Sequence, residues 1–202
     1  MAQPAILLRE STDHKVYDDA VWRRVFNERR DRSRKPFAVC RARSTADVVA
    51  AVKLAKERGC RVSVRSGGHS WAAWSVRHDA VLIDLQDLDV VEGQTLVAGP
   101  EDAGRGTPPG RIDYDARTKI VSCPAGATGY WLNRYLAGVD GKRFFASGHC
   151  PDVGLGGFLL QGGMGWNCKV CFGSPGLPMY SEMDPSLADP ILFRTGAGLA
   201  RL

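Results

Sequence analysis

Apolar and polar positions alternate with helical and strand periods in turn along this chain. Between Ser44 and Gly59, Val48, Ala51, Val52 and Ala55 fall on one helical face, with Lys53, Lys56, Glu57 and Arg58 mainly on the other. Ser44 is a good N-cap, Asp47 suits the positive helix end, and Gly59 supplies the stop. Phe37–Cys40 reads as a strand before this helix and Arg61-Val62-Ser63-Val64 alternates as a strand after it, giving a βαβ-type unit. Ala80–Leu85 is a buried-strand candidate and Lys119–Cys123 another strand. Thr128 is placed to cap a short helix through Trp131, Leu132 and Tyr135 to Gly138. An earlier helix is predicted from about Asp18 to Arg30, with Trp22 and Phe26, four apart, on its buried side. Residues 92–110 are dense in glycine and proline and read as an exposed loop. After Trp166, Pro175, Pro178, Pro185 and Pro190 interrupt any period, so this tail is expected to add no layer to the core.

The predicted organisation is a basic, helical extension over 1–35, a main domain over 36–167, and a divergent, poorly structured tail over 168–202. A chain of 202 residues can hold one good core or two small subdomains. With 44 % hydrophobic and 24 % charged residues it has the composition of a soluble globular protein. Most of its 23 glycines lie in turn-rich segments, so the excess is local. The net charge of +5 is concentrated in Arg23, Arg24, Arg29, Arg30, Arg32, Arg34 and Lys35, which reads as a solvated helix face and charged linker. No nucleic-acid motif follows, so no nucleic-acid partner is expected.

The six cysteines are irregularly spaced and no apolar leader precedes them, so a disulfide framework is not expected. Cys168-Lys169-Val170-Cys171 has redox or half-zinc spacing but lacks further ligands or its own βαβ frame, and no metal is expected. No stretch is long enough to span a bilayer. The expected location is cytoplasmic, with Ala200-Arg201-Leu202 resembling a variant peroxisomal address.

Two glycine-rich segments carry the candidate chemistry. The first is Arg65-Ser66-Gly67-Gly68-His69-Ser70-Trp71; the second runs from Gly148-His149-Cys150-Pro151 through Val153, Gly154 and Gly157 to Gly162-Gly163-Met164-Gly165-Trp166. Diphosphates need backbone N–H groups that approach closely, hence turns without side chains. Ser66-Gly67-Gly68 after a strand is such a nest. Arg65 is placed either to add charge-assisted bonds to the phosphates or to pair with a carboxylate elsewhere. The G-x-G-x-x-G fingerprint is missing after Val64, which argues against an ordinary NAD-binding domain. Each of the two glycine-rich turns carries one nucleophilic side chain, His69 in the first and Cys150 in the second.

In this joint order the segments resemble the berberine-bridge-enzyme-like oxidases of the vanillyl-alcohol-oxidase group, from about Phe37 to Asn167. The resemblance implies an α+β fold, a PCMH-type FAD-binding domain of two subdomains: a small N-terminal βαβ unit beside a larger mixed or antiparallel sheet with helices, incomplete at the C-terminus. It implies FAD held covalently, by His69 at the 8α-methyl carbon and by Cys150 at C6, with His149 as a neighbour of the ring. Arg65, Ser66, Gly67, Gly68, Ser70, Gly148, Val153, Gly154, Gly157, Gly162 and Gly163 complete the expected cofactor site. The implied function is hydride transfer from an alcohol, sugar or similar small-molecule donor to FAD, with oxygen as acceptor. The family pattern is left near Cys168, so a substrate domain and its base are expected to be missing; the alternative is a non-catalytic flavin-binding domain.

Overall fold

The computed structural model describes residues 5–27, 31–88, 95–139, 143–160, 192–195 and 198–199. Its first sheet holds β1 (Ile6–Leu8), β2 (Ala38–Arg41), β3 (Val62–Arg65) and β4 (Val81–Asp84) in the order β1-β2-β4-β3. β2, β4 and β3 are parallel, and β1 pairs antiparallel with β2. The strand–helix–strand unit therefore spans a gap, which β4 fills. All four β4 residues are buried, as a central parallel strand covered on both faces requires.

Helix α1 (His14–Trp22) packs Tyr17, Val21 and Trp22 with Leu7, Val39 and Leu82 on one face of this sheet. Helix α2 (Thr45–Glu57) covers the other face through Ala51 and Ala55, against Cys40, Val81 and Ile83. The α2 caps match the sequence expectation. Ser44 and Asp47 form a reciprocal capping box, and Gly59 follows the helix at φ +63°.

Helix α1 corrects the predicted 18–30 span at both ends. Asp13 caps it early, its carboxylate accepting from the Lys15 and Val16 backbone N–H groups. It stops at Trp22 because the buried Arg65 guanidinium takes the Ala20 and Val21 carbonyls, both at 2.6 Å. Phe26 is consequently not on the helix and is 54 % exposed, while Trp22 is buried as expected. Strand β3 inverts its apparent pattern: Ser63 and Arg65 face inward and Val62 and Val64 are exposed.

The second sheet has the order β5 (Asp113–Asp115), β6 (Ile120–Ser122), β7 (Leu192–Thr195), β8 (Gly198–Leu199). β6 pairs parallel with β7, so two segments of the tail extend this sheet. Helices α3 (Gly129–Ala137) and α4 (Leu155–Leu160) build a second core with Val121, Leu132, Leu136, Phe145, Leu155 and Phe158. The fold is α+β in two subdomains, as expected.

The predicted loop over 92–110 is, where described, not simply exposed. Asp102 is buried and accepts from the Gly99 N–H, the Tyr130 hydroxyl at 2.6 Å and Arg134 at 2.5 Å. Burial works against the Asp102 charge, yet these donors hold its carboxyl below the usual carboxylate range. The basic cluster is a solvated face only in part: Arg23, Arg32 and Lys35 are exposed, whereas Arg24 and Arg34 are not. Arg34 donates to the carbonyls of Ala72, Ala73 and Val76, and Arg24 is bound inside the site described next; Arg29 and Arg30 lie outside the described residues.

Candidate functional site

Strand β3 delivers the chain into the turn 66–71, and the turn 150–154 meets it from the second subdomain. The two glycines Gly67 and Gly154 are in backbone contact. A Cβ on Gly154 would fall onto the Gly67 N and the Ser66 Oγ, and one on Gly67 would fall onto the Gly154 backbone. Neither position tolerates a side chain while the subdomains stay docked. The Ser66 hydroxyl donates to the Ala125 carbonyl at 2.6 Å, bringing a third turn into the junction.

This junction also caps the second subdomain's helices. Gly129 and Tyr130 N–H groups donate to the Val153 and Pro151 carbonyls, and Leu155 and Gly156 N–H groups donate to Ala127 and Ala125. Thr128 stands at the expected cap position of α3, but its hydroxyl makes no capping bond. The tertiary carbonyls have taken over that task.

A cleft of about 780 Å³ opens between the subdomains, within the size range of small-molecule sites. His69, Gly67, Arg24, Arg105, Thr128 and Asp152 are among its lining residues. Three of them carry buried polar atoms without a partner among the described residues: His69 Nε2, Thr128 Oγ1 and Asp152 Oδ1. Among the described residues, no acceptor meets the backbone N–H groups of Ser66, Gly67, Gly68 and His69. Unsatisfied donors in a row at a glycine turn suit an anion. Arg105 closes one side, bonded to Asp152 at 3.1 Å and stacked over Tyr130 at 4.7 Å.

Burial lowers the His69 pKa below its ordinary 6.5, with the Asp152 charge opposing the shift. The ring is therefore neutral near pH 7, with a lone pair available. The folded state binds this proton more weakly than the unfolded chain does. The resulting contribution to stability is present above pH 6.5 and lost as the pH falls below it. A proton-NMR titration of His69 is expected to give a midpoint below 6.5; a midpoint at or above that value would contradict a desolvated ring.

Arg65 takes the second of its two sequence-level options. It is 2 % exposed and its guanidinium binds Asp84 at 2.7 Å together with the α1 carbonyls, so its side chain is not available to a phosphate. Ser70 is spent on its own turn, its carbonyl accepting from Ala73 and its hydroxyl from Trp74 N–H. Gly148 and Cys150 are half-buried, and Cys150 is a free thiol four residues before Gly154. Cys150 is not among the described residues that line the cleft. Val153 packs into the second core, and Gly157, in α4, has open space where a Cβ would be. Gly162, Gly163 and the Cys168–Cys171 pair lie outside the described residues.

Sequence reasoning missed Phe26, Arg24, Arg105 and Thr128. Phe26 stacks on the His69 ring at 4.8 Å, and Arg24 reaches both Asp84 and the Ser66 carbonyl. For Phe26 and Arg24 the sequence signal was a basic, aromatic stretch ahead of the first glycine turn.

Comparison with known proteins gives one consistent result. Residues 36–100 match the FAD binding domain family. An FAD-linked oxidoreductase of Penicillium janthinellum (janO) is 36 % identical over 165 residues, covering 81 % of this chain and 31 % of that protein. A xylooligosaccharide oxidase of Thermothelomyces thermophilus is 30 % identical over 167 residues, covering 82 % of this chain and 28 % of its own length. Among solved structures, wild-type BBE-like 1 of Physcomitrella patens superposes with a TM-score of 0.60 at 25 % identity, over 83 % of this chain and 30 % of that one. The chain thus spans about 31 % of the length of the first of these relatives.

Proposed function

With residues 36–100 an FAD binding domain of the kind carried by FAD-linked, berberine-bridge-enzyme-like oxidoreductases, we propose that this chain holds FAD in the cleft between its two subdomains. The observation that carries the reading is the run of N–H groups from Ser66 to His69 that meets no acceptor among the described residues, beside the His69 Nε2 that likewise has no partner among them. The N–H groups would bind the diphosphate, with Arg24 and Arg105 supplying positive field at the cleft wall. Thr128 Oγ1 and Asp152 Oδ1 supply further polar contacts to the ligand.

The neutral His69 imidazole would attach to the 8α-methyl carbon and Cys150 to C6. Each attachment would exchange a C–H and an N–H or S–H for one C–N or C–S bond, the two hydrogens leaving to dioxygen as hydrogen peroxide. Bound FAD supplies a two-electron acceptor for a donor C–H, as in oxidation of an alcohol or sugar, with dioxygen as the terminal acceptor. The chain's own residues orient the cofactor, keep His69 unprotonated and exclude water at the Gly67–Gly154 junction. A second reading is flavin holding without independent turnover: among the described residues, Asp84 and Asp102 are committed to ion pairs and the cleft carboxylate Asp152 is held by Arg105.

The test is acid denaturation of protein loaded with FAD. Yellow colour is expected to stay with the protein, and His69→Ala and Cys150→Ala are each expected to remove one linkage and shift the absorption spectrum. Protein that binds FAD but releases all of it in acid would overturn the covalent assignment. Peroxide release with a panel of sugars and alcohols separates oxidase turnover from flavin holding.

A further inference from the structure

We propose that residues 24–27, which precede the matched FAD binding domain, clasp the His69 turn, and that Phe26 is the positioning residue that fixes the plane of the His69 imidazole. The inference rests on the proposed meeting of His69 with the flavin.

The clasp is made of independent contacts. The Phe26 N–H donates to the Gly68 carbonyl at 3.0 Å. Gly68 lies at φ +78°, and a Cβ there would run into the Arg24 carbonyl, so the two backbones touch. The Arg24 guanidinium donates to the Ser66 carbonyl at 3.0 Å, and the Asn27 amide donates to the Trp71 carbonyl at 2.7 Å. Three residues of one segment thus hold the carbonyls of three residues of the turn. On top of this frame the Phe26 ring stacks on His69 with centroids 4.8 Å apart and planes 24° from parallel, and it leans on Trp71 at 5.7 Å.

A packing role alone does not account for Phe26. It is 54 % exposed and belongs to none of the three core clusters among the described residues. An aromatic ring left half in water gains little from burial. What its position does achieve is control of a torsion. The χ2 of histidine is broad and intrinsically two-fold, so an unsupported imidazole on a turn samples many planes. A ring stacked on one face removes that freedom and shields the imidazole from water. Bond formation depends steeply on such alignment, with small misplacements costing up to about 10²-fold.

The experiment compares wild type, Phe26→Ala and Phe26→Tyr, first without flavin. The His69 ring protons are expected upfield in wild type and in Phe26→Tyr, through the ring current of the stacked neighbour. They should move downfield in Phe26→Ala, and the His69 titration, set by burial and the facing Asp152, should rise toward 6.5. Each apoprotein is then given FAD. The rate of acid-stable flavin formation is expected to fall by about tenfold in Phe26→Ala and to recover in Phe26→Tyr. The thermal midpoint should barely change, as suits an exposed residue. Unchanged His69 resonances in Phe26→Ala would overturn the proposal, as would an Ala variant that unfolds globally, since that would make Phe26 a core residue. If wild type forms no acid-stable flavin while the His69 resonances respond as described, His69 is not an anchor and the clasp stands.

Discussion

Asp84→Ala is expected to lower the free energy of unfolding by about 3–5 kcal/mol, the range for breaking a buried ion pair by removing one partner. Asp84 Oδ1 accepts from Arg24 at 2.7 Å and from the Gln86 N–H at 3.1 Å, and Oδ2 accepts from Arg65 at 2.7 Å and 3.2 Å. The Arg65 and Arg24 side chains are 1 % and 16 % exposed, so two guanidiniums would be left with no carboxylate and little water. Burial works against the Asp84 charge, but Arg65 and Arg24 together hold its carboxyl below the ordinary carboxylate value. The folded state therefore binds this proton more weakly than the unfolded chain. The stabilisation is present above that ordinary value and lost as the pH falls toward the folded one. Urea unfolding at pH 7 and in acid checks both parts. A loss below about 1 kcal/mol at neutral pH, the size of an exposed pair, would show that the triad is not structural.

The same substitution reaches the site. Arg65 ties Asp84 to the end of α1, and Arg24 ties Asp84 to the Ser66 carbonyl. Both cations lose their anchor together, so the His69 turn should loosen before the sheet does. Flavin retention is expected to fail at lower urea than the far-UV signal.

Gly67→Ala and Gly154→Ala are expected to weaken flavin binding by about tenfold or more. Overpacking a well-packed core usually costs about 1–3 kcal/mol because neighbours give way. Here each new methyl meets the opposing backbone, which has no rotamer to change. The turns must separate, and the N–H groups of residues 66–69 move away from the second subdomain's side of the cleft. Each 1.4 kcal/mol lost from binding is about tenfold in affinity, so even the lower end of that cost takes binding down substantially. Titration of apoprotein with FAD, followed by flavin fluorescence, checks this; wild-type affinity in either variant would refute the close approach. Gly157→Ala is an informative companion. With open space at that position and a helical backbone, alanine should not destabilise the fold. A loss of flavin there would mark a direct contact with the cofactor.

A close backbone approach was legible because glycine marks it locally: Ser66-Gly67-Gly68 shows it in the sequence, and the structure brings Gly154 against Gly67 and the Arg24 carbonyl against Gly68. The α2 helix was legible for the same reason, since Ser44, Asp47 and Gly59 act on backbone groups within a few residues. The end of α1 was not, because it is set by Arg65, more than 40 residues away. Strand β3 misled because an arginine at an inward position reads as solvent-facing until its buried carboxylate is known.

The chain's pattern alone determined that two glycine turns, one bearing His69 and the other Cys150, stand at the ends of regular elements. The tertiary structure decided the rest. It placed Gly67 against Gly154, turned Arg65 inward to Asp84, and set Phe26 on the His69 ring. The physical reason is range: capping and turn preferences act over a few residues, whereas partners for buried charge and for stacked rings are chosen by contacts that exist only once distant segments have packed.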